Sequence, residues 1–348
     1  MEESKRLSTY SKGGGCGCKI SPAVLKEIIG SDNLSAYTGL LVGNDTNDDA
    51  AVFSLDAASA VISTTDFFLP IVDDAFDFGR IAAANAISDV YAMGGKPIMA
   101  IAILGWPVEK ISPELARQVL EGGRSICNEA GIPLAGGHTI DSNDPIFGLS
   151  VTGILQKEHL KKNSAASAGD HLFLTKPLGV GILTTAIKRG VLAEEHYKPL
   201  IDQLTSLNKV GAALGKIKGV NAMTDVTGFG FLGHLIEMLD GGRISATIHY
   251  EKIKKIEGLD DYLRQRTIPD ATFRNWNSYS QHVAFEKGVN VMEAFNVLPD
   301  PQTNGGLLIA VDKESLKEVA QIFQSFQLNL EPIGIFTGPR EKLVYVTA

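Results

Sequence analysis

Five aspartates occupy sequence contexts in which a carboxylate could bind a cation. Asp48 and Asp49 precede the apolar run AAVF, Asp66 ends the strand-like run VISTT, Asp89 lies among Ala and Ile in a helical stretch, and Asp225 ends the strand-like run AMT. Any one of them could also cap a helix or form a turn, an explanation that is weaker for Asp89 inside a helix. A charged side chain in an apolar helix is costly unless it is paired or binds a metal ion. Taken together, the aspartates favour a site that gathers negative charge.

A convergent set of carboxylates predicts Mg²⁺, which bridges carboxylates to the phosphates of a nucleotide. Zinc is disfavoured, because the seven histidines include no close-spaced pair and no CxxC sequence occurs. A Walker A loop is absent too: GGGCGCK (13–19) has the wrong spacing, and Ile20 stands where Ser or Thr is required. The expected mode of ATP binding is therefore through metal-bridged phosphates.

Two glycine-containing turns are weaker candidates for phosphate binding. GGHTID (136–141) places Gly137 before His138 and Thr139. TGFG (227–230) offers Thr227 as an N-cap, with backbone N–H groups at a helix start. A plain turn is the simpler explanation of either sequence taken alone.

The N-terminal segment carries two thiols beside a lysine. Cys16 and Cys18 lie in GGGCGCK, and in an extended chain they point the same way, about 6–7 Å apart. Lys19 would favour the thiolate and could meet a phosphate. The alternative is a pair of exposed thiols in a mobile tail, whereas Cys127 is expected to be a buried small hydrophobic residue.

The elements that must position these residues are mixed in order. Strands and helices alternate irregularly in both halves, which favours an α+β, mixed-sheet architecture over a doubly wound fold. The polar stretch 156–170 is the predicted domain boundary. The predicted organisation is an arm at 1–20, a first domain at 21–157 and a second at 168–348. Predicted helices include 22–29, 78–93, 112–130, 179–189, one beginning near Thr227, and 313–326, and predicted strands include 50–55, 60–65, 97–104, 144–155, 171–175, 222–224, 306–311, 331–337 and 343–347.

Composition narrows the class of protein. The 348 residues carry 40 acidic and 32 basic side chains, a formal net charge of −8, which argues against a nucleic-acid binder. The apolar stretch 97–108 is shorter than the roughly 20 residues that span a bilayer, and the N-terminus lacks a secretory apolar core. Three cysteines, an odd number, do not form a disulfide scaffold. A cytoplasmic protein without membrane or nucleic-acid partners is therefore expected.

Seven motifs together resemble the selenophosphate synthetases (selenide, water dikinases), within the superfamily of aminoimidazole ribonucleotide synthetase-like enzymes. They are GGGCGCKI (13–20), GNDTNDDAAVF (43–53), STTDFF (63–68), NAISDVYAMGGKP (85–97), AGGHTID (135–141), MTDVTGFGFLGHL (223–235) and DPQTNGGLL (300–308). The resemblance covers nearly the whole chain, and the GCGCK arm is specific to the selenium enzymes. The chain departs from the family pattern at Asn47, where a basic residue is expected, and at Asn304, where Ser is usual.

The resemblance implies a two-domain fold whose N-terminal domain dimerises through a β-barrel, with ATP and Mg²⁺ ions between the domains. It also implies roles for individual residues. Metal ligands would be Asp49, Asp89 and Asp225; nucleotide contacts would be Lys19, Thr46, Asn47, Asp48, Asp66 and Asp89, with Gly137, His138 and Thr139 from a dimer partner; Cys16 and Lys19 would be catalytic. A selenium-delivery protein and a K⁺ ion are further candidate partners that the sequence leaves open.

The implied reaction converts ATP, hydrogen selenide and water into selenophosphate, orthophosphate and AMP. A soft sulfur suits a soft selenide nucleophile, so Cys16 is predicted to receive, deliver or shield it. Two alternatives remain. Another ATP-dependent member of the superfamily would not need the GCGCK arm. A non-catalytic nucleotide or selenium carrier would bind ATP without consuming it, and would not need clustered aspartates.

Overall fold

The structure is a computed structural model that describes residues 6–10, 20, 24, 27–28, 37–43, 47–239 and 243–348. Two mixed β-sheets organise the part of the chain that it describes, six strands from residues 40–156 and seven from residues 171–347. This arrangement confirms the predicted mixed α/β architecture. The predicted helix at 22–29 falls largely outside the described residues.

The first sheet has the strand order β1-β2-β3-β6-β4-β5. Its strands are antiparallel except for the β4–β5 pair, which is parallel. Side chains of a strand alternate between its two faces, so Thr64 and Asp66 of β3 both face the helical layer. The strands are β1 (Leu40–Val42), β2 (Ala51–Ser54), β3 (Ser59–Phe68), β4 (Lys96–Trp106), β5 (Leu134–Asp141) and β6 (Ile146–Gln156).

Two long helices, α1 (Ala75–Ala92) and α2 (Pro113–Ala130), pack together over this sheet. Asp74 caps α1, because its side chain accepts a hydrogen bond from the Asp77 N–H. The helices approach so closely that a Cβ on Gly79 would lie 1.9 Å from the Val119 carbonyl oxygen, and one on Gly122 2.0 Å from the Phe76 carbonyl oxygen. Glycines at this crossing fix the position of α1, which carries Asp89.

The second sheet has the strand order β10-β13-β9-β12-β7-β11-β8. Its β10–β13 and β13–β9 pairs are parallel, and the other pairs are antiparallel. Strand β11, which pairs with β7 on one side and β8 on the other, is buried at every residue, as its apolar sequence LLIAV predicts. The strands are β7 (His171–Leu174), β8 (Val220–Asp225), β9 (Ser245–His249), β10 (Val283–Phe285), β11 (Leu307–Val311), β12 (Gly334–Thr337) and β13 (Val344–Thr347).

The remaining named helices accompany the second sheet. No helix among the described residues is long and apolar enough to cross a membrane. The helices are α3 (Val180–Arg189), α4 (Glu194–Thr205), α5 (Val210–Leu214), α6 (Gly230–Met238), α7 (Leu259–Arg264), α8 (Asp270–Tyr279), α9 (Val291–Val297) and α10 (Leu316–Ser325).

Helix α1 also packs against the second half of the chain. Its residue Ala92 belongs to an apolar cluster with Val210 and Leu214 of α5. A Cβ on Gly211 would lie 2.3 Å from the Tyr91 carbonyl oxygen, so the two backbones are in close contact. The carboxyl-terminal half of α1 therefore lies between the two sheets, where residues from both halves of the chain can meet.

Candidate functional site

Three of the predicted metal ligands meet where α1 contacts the second sheet. Asp49 precedes β2, Asp89 lies on α1, and Asp225 ends β8. Three hydroxyl groups hold them: Thr224 Oγ1 donates to Asp49 Oδ1 at 2.8 Å, Thr64 Oγ1 to Asp89 Oδ2 at 2.5 Å, and Ser88 Oγ to Asp225 Oδ2 at 2.5 Å. Two of these bonds link residues that are far apart in the sequence: Ser88 and Asp225 are 137 positions apart, and Asp49 and Thr224 are 175 positions apart. These bonds therefore connect the two halves of the chain at the acidic site.

The electrostatics show that the carboxylates lie close together. The pKa of Asp49 is raised well above its usual value, first by burial and then by the charges of Asp225 and Asp89, with a smaller contribution from Asp48. The hydrogen bond from Thr224 opposes this rise. The Oδ2 atom of Asp49 is buried without a hydrogen-bond partner. A buried, repelled and unsatisfied carboxylate oxygen is the environment that a bound cation would stabilise.

These residues fit Mg²⁺ bound together with phosphates better than they fit a complete protein cage. Within the described ranges, no three His, Cys, Asp or Glu side chains are already arranged as ligands of one metal ion. Mg²⁺ commonly takes only one or two carboxylates and completes its shell with water and substrate phosphates. Asp49, Asp89 and Asp225 could supply the hard oxygen atoms for such an ion.

The loop before β2 is held by the connection between the two sheets. The backbone N–H of Asn163 donates to Asp48 Oδ1 at 2.8 Å, and its side-chain Nδ2 donates to the Asn47 carbonyl oxygen at 3.0 Å. Asn47 has a φ of 51°, a left-handed conformation that Asn tolerates better than most residues. The left-handed backbone conformation explains why Asn occupies position 47. Thr46 lies outside the described residues.

A chain of amides connects Asp66 to the loop before β11. Asn85 Nδ2 donates to Asp66 Oδ2 at 2.5 Å, and Asn85 Oδ1 accepts from the Asn304 N–H at 2.7 Å. The Asn304 side chain donates to the carbonyl oxygens of Leu204 and Ser206, and its φ is 47°. Asn304 thus supplies two contacts and a backbone conformation that a serine would not supply equally well.

Gly137, His138 and Thr139 do not join the aspartates within one chain. They lie on the exposed edge strand β5. The register places Asp66 opposite Leu149, Leu149 opposite Ala102, and Ala102 opposite Gly137. Three inter-strand steps separate Asp66 from Gly137, a distance of about 14 Å. This separation favours a contribution of these three residues to a nucleotide site on a second copy.

Comparisons with known proteins cover almost the whole chain. Residues 47–155 match the AIR synthase related protein N-terminal domain, and residues 167–346 match its C-terminal domain. A selenide, water dikinase of Photorhabdus laumondii is 53% identical over 335 residues, which cover 96% of this chain and 95% of that protein. The selenide, water dikinase of Escherichia coli K12 is 55% identical over 334 residues, with the same coverage.

The chain belongs to the selenide, water dikinase family. It is accordingly an enzyme of the kinase class that uses ATP as a substrate. Solved structures agree on the fold. Hydrogenase maturation protein HypE in complex with ATP matches with a TM-score of 0.65 and 16% identity, over 99% of this chain and 95% of that chain. Thiamine-monophosphate kinase from Stenotrophomonas maltophilia K279a matches with a TM-score of 0.64 and 18% identity, over 90% and 92% of the two chains. At these identities the likeness shows the fold alone.

In this selenide, water dikinase family member, the glycine turn TGFG (227–230) does not place Thr227 at the N-cap as the sequence predicted. Helix α6 begins at Gly230, and its N-cap is Phe229 rather than Thr227. The Thr227 N–H donates to His234 Nε2 at 3.1 Å, and His234 Nδ1 lies 3.2 Å from Glu237. The Thr227 N–H group therefore has an internal partner, and the prediction that Thr227 is the N-cap of this helix was wrong.

Lys176 is a candidate that sequence reasoning missed. Its Nζ atom donates to the carbonyl oxygens of Ser206 and Asn304, both at 2.8 Å. Burial lowers the pKa of Lys176 to about 7, and the nearby charge of Asp225 opposes that change. The lysine lies beside the acidic site and fixes the loop that contacts Asn85. No local motif marks it, since its partners lie 30 and 128 residues away.

Cys16 and Lys19 lie outside the described residues, but the segment that precedes them is anchored. Residues Leu7–Tyr10 form a 3-10 turn. Arg6 Nε donates to Asp73 Oδ2 at 2.7 Å, and the Ser8 hydroxyl donates to Asp73 Oδ1 at 2.5 Å. Cys16 lies eight positions after Ser8 in the sequence, so an extended chain would reach about 26–29 Å from this anchor.

Replacing Ser88 by Ala is expected to weaken both the acidic site and the contact between the two halves. Ser88 is fully buried, donates to Asp225 and accepts from Asn208 Nδ2 at 2.8 Å. Loss of these bonds should lower the free energy of unfolding by about 1–3 kcal/mol and raise the Mg²⁺ concentration needed for activity. Urea denaturation and Mg²⁺ titration of ATP turnover measure the two effects.

Ser125→Ala provides the matched control, because the Ser125 hydroxyl donates only to the Gly122 carbonyl oxygen within α2. Equal stabilities and equal Mg²⁺ requirements in the two variants would contradict a role for Ser88 in holding Asp225.

Proposed function

We propose that this chain synthesises selenophosphate from selenide, ATP and water, and releases AMP and orthophosphate. The observation that carries the proposal is the identity of 53–55% to selenide, water dikinases over 96% of the chain. The convergence of Asp49, Asp89 and Asp225 supports it, because phosphoryl transfer depends on positioning and on the spreading of phosphate charge.

In the proposed site, Asp49, Asp89 and Asp225 hold Mg²⁺, which would neutralise charge on the phosphates of ATP. Thr46, Asn47, Asp48 and Asp66 are the proposed nucleotide contacts, with Asp89 shared between metal and nucleotide. Asn85 orients Asp66 through the hydrogen bond between their side chains. Lys176 adds a cation beside Asp225 and holds the loop that contacts Asn85.

The proposed catalytic groups on the arm are Cys16 and Lys19. Lys19 would approach the phosphates as a cation, and Cys16 would handle selenide through its soft sulfur. The anchor at Ser8 keeps the arm attached near α3, since Arg6 also donates to the Ile187 carbonyl oxygen. A tethered thiol reaches its substrate without a separate binding step.

We further propose a homodimer in which Gly137, His138 and Thr139 complete the nucleotide site of the partner subunit. Support comes from the outer face of the first sheet, where large apolar side chains are exposed. They include Phe53, Phe67, Ile98, Met99, Ile101, Ile140 and Ile154, each at least 40% exposed. Sedimentation of a species with the mass of a single chain at micromolar concentration would contradict this proposal.

The domain limits at 21–157 and 168–348 and a reducing, cytoplasmic setting for the thiol arm are part of the same proposal. A requirement for K⁺ and a selenium-delivery protein stay predictions. Turnover with K⁺ replaced by Na⁺ or Li⁺ tests the first, and comparison of free selenide with protein-bound selenium tests the second.

The deciding experiment is phosphorus NMR of the full chain incubated anaerobically with ATP, Mg²⁺ and selenide. The expected products are AMP, orthophosphate and a phosphorus signal coupled to selenium, all dependent on selenide. ADP as the final product would assign the chain to a kinase acting on another acceptor. ATP that is bound but not consumed would favour a carrier.

A further inference from the structure

His234 lies close to the end of strand β8, although it is not among the predicted metal ligands. It belongs to α6 and is 6% exposed. Its Nε2 atom accepts a hydrogen bond from the Thr227 N–H at 3.1 Å and lies 3.3 Å from the Thr227 hydroxyl oxygen. Thr227 follows Asp225 by two residues. The imidazole therefore contacts the backbone that leads away from a proposed metal ligand.

The hydrogen bonds define the state of the imidazole ring. A backbone N–H can only donate, so Nε2 of His234 must carry a lone pair. The ring proton of the neutral form is then on Nδ1, which lies 3.2 Å from Glu237 Oε2. A carboxylate that accepts from one ring nitrogen fixes both the tautomer and the orientation of the ring. Glu237, His234 and Thr227 thus form a chain of contacts from α6 to the loop after β8.

Packing between α6 and α8 holds this chain of contacts in place. A Cβ on Gly233 would lie 2.5 Å from Phe229 Cβ and 2.9 Å from a ring carbon of Tyr279, so these side chains pack closely over α6. The ring centroids of Phe229 and His234 are 5.8 Å apart. Burial raises the pKa of Tyr279 and the charge of Glu237 adds to the rise, so the carboxylate lies near this ring. The imidazole therefore has little freedom to turn.

His234 supplies a kind of contact that the other partners of this loop do not. The Thr227 carbonyl oxygen accepts from the Gln302 N–H at 2.9 Å, and the Gly228 carbonyl oxygen accepts from a side-chain amide of α8 at 2.9 Å. Those partners are donors, whereas the Thr227 N–H needs an acceptor. Thr227 is buried, and a buried N–H without an acceptor is costly. Loss of the imidazole acceptor should therefore shift the loop, and with it the carboxylate of Asp225.

We propose that His234 is a positioning residue for the metal site: through Thr227 it holds Asp225 in the orientation that binds Mg²⁺. This inference deepens the proposed function, since it rests on Asp225 as a metal ligand. Removal of a group that orients a metal ligand typically weakens metal binding by roughly 10- to 100-fold. The imidazole acts through the backbone and not as a ligand.

Two variants of His234 separate an acceptor role from simple packing. His234→Phe keeps a flat ring beside Phe229 but removes the acceptor. His234→Gln loses the ring but places an amide oxygen near the position of Nε2, where it can accept from the Thr227 N–H. His249→Phe is the control, because His249 lies on β9, which three strands separate from β8 in the second sheet.

Binding of Mn²⁺, a paramagnetic substitute for Mg²⁺, measures the effect without turnover. Electron paramagnetic resonance of free Mn²⁺ gives its Kd for the full chain in the presence of a non-hydrolysable ATP analogue. We expect His234→Phe to raise this Kd by roughly tenfold or more, and His234→Gln and His249→Phe to stay within about threefold of the wild type. In EDTA, hydrogen exchange of the Thr227 amide should be faster in His234→Phe than in the other two variants.

Urea denaturation checks that the variants are folded. His234→Asn, whose shorter amide does not reach Thr227, replaces His234→Phe if that variant is unfolded. An unchanged Kd in the variant without the acceptor, or equal losses in it and in His234→Gln, would overturn the positioning role and leave the proposed metal site intact. A wild type that binds no Mn²⁺ beyond that held by the free analogue would overturn both the metal site and this inference.

Discussion

Asp49→Asn is expected to reduce Mg²⁺-dependent ATP turnover by about 100- to 1000-fold while making the metal-free protein more stable. Asn keeps the oxygen that accepts from Thr224 but removes the negative charge. The charge is unfavourable in the metal-free protein, because burial and the charges of Asp225 and Asp89 raise the pKa of Asp49. Its removal should raise the free energy of unfolding by about 1 kcal/mol or more.

The raised pKa of Asp49 also predicts the direction in which the stability of the metal-free protein changes with pH. A carboxyl group whose pKa is raised on folding binds more protons in the folded state than in the unfolded state, at pH values between the two pKa values. Stability of the metal-free protein therefore falls as pH rises from the unfolded pKa of Asp49 toward its folded pKa. Asp49→Asn should lack this loss, and saturating Mg²⁺ should remove it in the wild type. Thermal unfolding across pH in EDTA and in Mg²⁺ measures both effects.

Asp56→Asn is the control with the opposite behaviour. Hydrogen bonds from Ser59 and Ala58 lower the pKa of this turn residue to about 2. Its stabilising effect is complete above the unfolded pKa and is lost as pH falls through the folded pKa. The variant should be less stable at neutral pH and should keep its turnover. An Asp49→Asn protein that is less stable than the wild type in EDTA, or that keeps full Mg²⁺-dependent activity, would contradict the assignment of Asp49.

Local sequence predicted much of the framework. The helical spacing at 78–93 and the strand-like run at 60–65 correspond to α1 and β3, although α1 begins three residues earlier than predicted and β3 extends beyond both predicted limits. Asp89 was conspicuous because a carboxylate in an apolar helix needs a partner, and the structure provides Thr64. Where periodicity and burial agree, the sequence alone identifies the element and the unusual residue within it.

Other features depend on contacts that no local pattern encodes. Strand β5 was missed because it is an exposed edge strand whose sequence LAGGHTID lacks apolar alternation. Helix α8 was missed because DATFRNWNSY is largely polar. Lys176 could not be identified from the sequence, because its hydrogen-bond partners belong to distant loops. Helix α6 begins at Gly230, three residues after Thr227, whose N–H group bonds to His234.

Cys16→Ser is expected to lower selenide-dependent formation of selenophosphate by at least about 100-fold while ATP binding is retained. Serine preserves the size and position of the side chain but replaces a soft, ionisable sulfur with a hydroxyl that does not ionise near neutral pH. If Cys16 handles selenide, this change removes the chemistry without altering the aspartates that bind the nucleotide. Phosphorus NMR measures the product, and equilibrium dialysis with a non-hydrolysable ATP analogue measures binding.

Cys18→Ser is the neighbouring control, since it removes a thiol from the same segment two residues away. We expect it to keep substantially more activity than Cys16→Ser, because the proposed role belongs to one sulfur. Cys127 should not react in a thiol-labelling experiment, because it is fully buried and burial raises the pKa of its thiol to about 11. Alkylation near pH 7 therefore reports on the arm, and protection of Cys16 by ATP, Mg²⁺ and selenide would support its closure over the site. Equal losses in both serine variants, or full activity in Cys16→Ser, would contradict a specific role for the Cys16 thiol.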